Sequence, residues 1–109
     1  MNVLLVFTNL PNRDTAVALA RALIERRAAA CVNVLGECVS VYRWQGKVEE
    51  AAEVPVLIKS TEETYPALEQ AIRELHPYEL PEIVAVPLSR GLPDYLDWVI
   101  AETHTGTDS

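Results

Sequence analysis

The polar group with the widest chemical reach is His76, set in Leu75-His76-Pro77-Tyr78-Glu79-Leu80-Pro81-Glu82. Two readings of it stay open. A histidine just before a proline suits a helix C-terminus, where the macrodipole favours it and its ring can bond the last carbonyls. A neutral imidazole is also a good ligand for copper or zinc, with Glu79 or Glu82 close enough along the chain to assist. One histidine with carboxylates is an incomplete set for such a site. Tyr42 and Trp44 form a second candidate, either a stacking platform or a subunit contact. The second is favoured by the length of the strand and by the lack of basic neighbours beyond Arg43 and Lys47. Glu49, Glu50 and Glu53 read as a solvated face that blunts a strand edge by charge. Cys31 and Cys38 fall on one expected strand about 23 Å apart, too far to bridge, and they lack metal-site spacing. Nothing resembles a nucleophile motif, a phosphate loop or a nucleotide fingerprint, and the glycines are scattered at 36, 46, 91 and 106. The expectation is a protein that is not an enzyme and takes no organic cofactor.

Composition narrows the partners. The 109 residues carry sixteen acidic and nine basic side chains, a net charge of −7. That opposes a nucleic-acid footprint or binding to anionic membranes. No apolar run approaches the ~18 residues a membrane span needs. The start, MNVLLVF, reads as a buried strand and not as an export signal, so a reduced, cytoplasmic protein is expected.

The elements that must position these groups follow from periodicity. Val3 to Phe7 is a continuous apolar run, hence a central strand, with Thr8 to Pro11 as a loop. Asn12 caps a helix over Asp14 to Ala28, with Ala16, Leu19, Ala20, Leu23 and Ile24 on its apolar stripe. Thr64 caps a second helix that carries Pro66 in its first turn and stops before Pro77. Pro81 to Leu88 is a further strand, and Asp94 to Glu102 a short last helix. The order predicts an α+β, ferredoxin-like fold: a four-stranded antiparallel sheet, two helices on one face, a long protruding hairpin and a short C-terminal helix. One domain spans 1–103, and 104–109 is a polar tail.

The hairpin, Cys31 to Lys59 with its turn at Gln45-Gly46, sets the scale. Ser40, Tyr42 and Trp44 alternate with Val39, Val41 and Arg43. Gly36 interrupts the pattern as a bulge would, and Pro55 belongs at an edge or irregular site. Fourteen strand residues span about 45 Å, against roughly 33 Å for the diameter of a compact domain this size. The tip must project, and its aromatics are best covered by another copy of the chain. Ser40, Tyr42 and Trp44 are therefore the expected oligomer interface.

Ala29-Ala30-Cys31-Val32-Asn33, Ser40-Val41-Tyr42-Arg43-Trp44-Gln45-Gly46-Lys47 and Ile58-Lys59 resemble the CutA divalent-cation tolerance proteins. So do His76-Pro77-Tyr78, Pro81-Glu82-Ile83 and the ending Gly91…Tyr95-Leu96-x-Trp98, in the family's order over roughly Val3 to Ala101. The resemblance implies a fold related to PII signal proteins, a homotrimer joined through the long strands, and a link to divalent cations, Cu(II) among them. Taken with that link, His76 and the assisting Glu82 carboxylate are the expected pair of metal ligands. The family's proposed ligands include a cysteine near the end of the first strand and a histidine pair before Pro-Tyr, positions that here hold Thr8 and Leu75-His76. The alternative is a PII-like module with a ligand in the clefts between subunits, with Arg43, Lys47 and Lys59 as candidates for an anionic one.

Overall fold

A computed structural model describes residues 2–104. Of the expected polar tail, all but His104 lies outside the described residues. The chain runs β1 (Val3–Leu10), α1 (Arg13–Glu25), β2 (Cys31–Val34), β3 (Cys38–Trp44), β4 (Lys47–Thr61), α2 (Tyr65–Leu75), β5 (Val84–Pro87) and α3 (Pro93–Thr103). All pairings are antiparallel, in the order β2-β4-β1-β5, with β3 also paired to β4. This is the expected ferredoxin-like arrangement with one arm of the hairpin cut in two. The cut falls at Leu35-Gly36-Glu37 and turns four strands into five. Pro55 explains its position. The Pro55 carbonyl accepts from the Leu35 N–H at 2.9 Å, so its proton-less nitrogen faces the same gap, where no ladder bond is lost.

The core lies between the sheet and two helices. Leu4, Val6 and Leu10 of β1 and Val54, Val56 and Ile58 of β4 meet Ala16, Leu19 and Leu23 of α1 and Leu68, Ala71 and Ile72 of α2. Asn12 caps α1 by accepting from the Thr15 N–H at 2.8 Å. The helix ends at Glu25, three residues before the expected Ala28. Arg27 adopts φ 57°, and the N–H groups of Ala28 and Ala29 turn back to the Leu23 carbonyl, a left-handed helix stop. Thr64 stands at the N-cap of α2 with proline in the first turn, as expected. α3 lies against β4 and β1, covering Val3 and Thr61 on the face away from the core. Beside it, Leu5, Phe7, Leu57, Val84 and Val86 share a face that the chain leaves partly open.

Two strand boundaries differ from the sequence reading. β1 continues through Thr8, Asn9 and Leu10, because β4 is long enough to pair with all three. β5 is confined to Val84–Pro87, since the chain from Pro81 to Ile83 leaves the ladder and Glu82 bonds the Asn9 side chain instead. At 15 residues β4 runs the length of a molecule measuring 51 × 27 × 23 Å. Its first half, Lys47 to Glu53, pairs only with β3, so a two-stranded ribbon projects from the sheet. A two-residue turn closes it, with Gln45 at φ 51° and Gly46 at φ 83°, the positive angles of a type I′ hairpin. Among the described residues no helix is long and apolar enough to cross a membrane.

Candidate functional site

Pro77 stops α2 and leaves His76 as its C-cap, with the His76 N–H bonded to the Ile72 carbonyl at 2.8 Å. The ring is buried against the end of β1. Its Nε2 lies 2.7 Å from the Asn9 carbonyl oxygen, and its Nδ1 accepts from the Tyr78 N–H at 3.2 Å. A carbonyl can only accept and an amide N–H can only donate, so the proton sits on Nε2 and the Nδ1 lone pair is taken. Burial holds the imidazole below its ordinary range, opposed by the Asn9 carbonyl and the charge of Glu53. Glu82 also meets Asn9, accepting from the side-chain Nδ2 at 2.8 Å. The two expected ligands thus converge on one asparagine and not on a shared ion position. Among the described residues no group of three or more His, Cys, Asp or Glu is placed to hold a metal. As folded, His76 has no lone pair to give, and the pair does not fit a metal. Thr8, at the family's cysteine position, is buried on the core side of β1 with an Oγ1 that finds no hydrogen-bond partner among the described residues.

The chain from Pro77 to Glu82 then folds over the face of the ribbon that carries Ser40, Tyr42 and Trp44, enclosing a cleft of about 770 Å³. Tyr42 and Trp44 are consequently 44% and 40% exposed, and the barest apolar residues of the ribbon are on its opposite face: Val39, Val41 and Val48 at 70%, 63% and 65%. Sequence alternation placed Val39 and Val41 correctly on the other face, but which face is bare depends on where a remote loop falls.

Glu53 departs most from the sequence reading. It does not share a solvated face with Glu49 and Glu50; it is 8% exposed and lines the cleft. It sits where β4 passes from the sheet to the ribbon, opposite Cys38 and just beyond the Val54–Leu10 pair that ends the β1 ladder. The Tyr78 hydroxyl donates to Glu53 Oε2 at 2.8 Å. Burial, followed by that bond and the carboxylate's charge, pushes the phenol up to about 12. No pattern in the local sequence marks Glu53, because its burial comes from a segment 25 residues away.

The basic candidates are not gathered into a site. Arg43 pairs with Val48 and so faces away from Lys47, the partner of Trp44. Lys59 lies in the main sheet, donating to Asn33 Oδ1 beside Cys31. None of the three lines the cleft.

The CutA1 divalent ion tolerance protein model matches residues 4–102. The divalent-cation tolerance protein CutA of Thermus thermophilus is 44% identical over 98 residues, covering 90% of this chain and 95% of that protein. The mouse protein CutA is 43% identical over 103 residues, or 94% of this chain, which spans only 58% of the mouse protein's length. Among solved structures, CutA from Xylella fastidiosa superposes with a TM-score of 0.92 at 42% identity, covering 95% of this chain and 100% of that one. CutA1 from Oryza sativa gives 0.93 at 34% identity, with 97% of each chain covered. Motif content, fold and these likenesses agree, and the chain belongs to the CutA1 divalent ion tolerance family.

Proposed function

We propose that the chain acts in divalent-cation tolerance as a cytoplasmic, non-enzymatic homotrimer, its subunits joined through the ribbon and the open face of the sheet. The observation that carries the assembly is the ribbon itself. A two-stranded hairpin is marginal in water, and this one holds three bare valines on one face with free outer edges. Leu5, Phe7, Val84 and Val86 form a second apolar surface on the opposite face of the sheet. Covering both with other copies removes exposed edge and apolar area together. Light scattering should return the mass of three chains, and Tyr42→Ala or Trp44→Ala should weaken the assembly, by about 2 kcal/mol where the aromatic is an anchor.

The tie to Cu(II) or another divalent cation rests on kinship. On this chain Glu79 and Glu82, at the cleft, are the groups best placed to meet an ion, while His76 joins only by giving up its bond from Tyr78. Calorimetric titration of the reduced protein with Cu(II) and Zn(II) tests this. Saturable binding near one ion per chain, weakened in Glu82→Gln, supports it; weak, superstoichiometric uptake sinks it. A second reading, a PII-like module holding a small molecule, is favoured by one observation: the cleft is far larger than an ion requires.

A further inference from the structure

We infer that in the trimer the cleft is a composite site, filled by the ribbon of the next copy, whose Arg43 enters it and pairs with Glu79. This rests on the trimer reading and says which surface meets which. In a ring of three no patch meets itself, so the interface needs two different surfaces. The chain leaves two bare. One is the valine side of the ribbon, with Val39, Val48 and Arg43. The same side of β4 within the sheet, at Val54, Val56 and Ile58, is already covered by the helices. The other surface begins at the cleft. Glu53 and Leu57, four residues apart on β4, share a side, so the cleft continues into the open sheet face around Phe7. These are opposite sides of one sheet and ribbon, so a single copy cannot bring its own two together.

Charge sets the register between them. Glu53, Glu79 and Glu82 line the cleft, and no lysine or arginine does. Tyr78 holds Glu53 and Asn9 holds Glu82, whereas Glu79 is exposed and has no hydrogen bond or ion pair among the described residues. Arg43 is its counterpart. It is exposed at the tip end of the valine side and has no ion pair among the described residues, not even with Glu50, the acid of that side. Around the carboxylates, Tyr42 and Trp44 offer ring faces to a guanidinium. Leu80, 70% exposed at the same wall, offers apolar surface to the valines.

The test is light scattering and thermal melting of the native protein and its charge variants over a dilution series. No metal is added, since a cation would compete for Glu79. Both side chains are exposed and lie on opposite sides of the ribbon, so a change at either leaves the fold intact and the two do not couple within one copy. The wild type should show the mass of three chains. Arg43→Glu and Glu79→Arg should each move dissociation to at least about tenfold higher protein concentration. Both changes in one chain restore the pair with its signs exchanged and should recover most of that loss. A trimeric wild type whose mass and melting are unmoved by Arg43→Glu overturns the inference alone, leaving the trimer standing and the cleft free for a small molecule. Single variants that weaken the trimer without recovery in the double variant overturn it too, since Arg43 then meets another surface. A monomeric wild type removes the trimer reading and this one with it.

Discussion

His76 works as a clasp in the neutral form: one nitrogen donates to β1, the other accepts from the segment that closes the cleft. Protonation turns Nδ1 into a donor facing a donor, and burial already holds the folded-state pKa below its ordinary value. A depressed pKa means that the unfolded chain takes up the proton first, so stability is full above the unfolded value near 6.5 and is lost as pH falls through the folded one. Urea midpoints should therefore drop on acidification from pH 7 towards 5, and a variant without the imidazole, His76→Gln, should show a flatter profile over that range. An equal slope in both would assign the loss to carboxylates. Tyr78 gives a direct optical check on its own contact. Its ionisation should fall near 12, and that step should vanish from the absorbance titration in Tyr78→Phe. Thr8 offers the opposite case. Its Oγ1 is buried without a partner among the described residues, so Thr8→Val should be neutral or stabilising by up to ~1 kcal/mol, read as a raised urea midpoint. A clear loss of stability would mean that the hydroxyl is bonded after all.

Among the elements, the hairpin turn is the part whose sequence and geometry agree most closely. Gln45 and Gly46 both take positive φ, and nothing lies within 4 Å of where a Cβ on Gly46 would sit. Gly46→Ala should therefore cost only the backbone term, about 1 kcal/mol, while Gln45→Asn should recover a few tenths. Denaturant midpoints measure both. The turn was legible because its two residues are adjacent and their preferences are local, as were the Asn12 cap and the Pro66–Pro77 limits of α2. Where pairing with a distant strand decides, local patterns fell short. β1 runs on through Asn9 because β4 reaches it, and β5 is short because Glu82 bonds to Asn9. Glu53 is the sharpest instance. Its acidic neighbours suggested solvent, yet the tyrosine that buries it belongs to another element. In the same way His76 was legible as a helix cap, but the bonds that occupy its ring come from β1 and from the chain beyond Pro77.

At the scale of the whole molecule, a body 51 Å long and 27 Å wide is a shape that one chain does not stabilise efficiently. The projecting ribbon exposes Val39, Val41 and Val48 on one face while the other closes over the cleft. Assembly through the bare face can be tested at Val39, which does not line the cleft, whereas Val41 does. The cross-strand partner of Val39 is Ala52, so Val39→Lys meets no like charge and leaves the ribbon's own pairing intact. A buried lysine between copies is a different matter, since its charge would have to be desolvated against apolar neighbours. The expected result is a fall in native mass from three chains towards one, with a lowered melting temperature that loses its dependence on protein concentration. Far-ultraviolet circular dichroism should stay unchanged, because no contact within the chain is removed. A full-mass assembly with unaltered melting would show that the valine face is not buried between copies. The interface would then have to lie on the open sheet face around Phe7 and Val84, where Phe7→Lys is the corresponding variant.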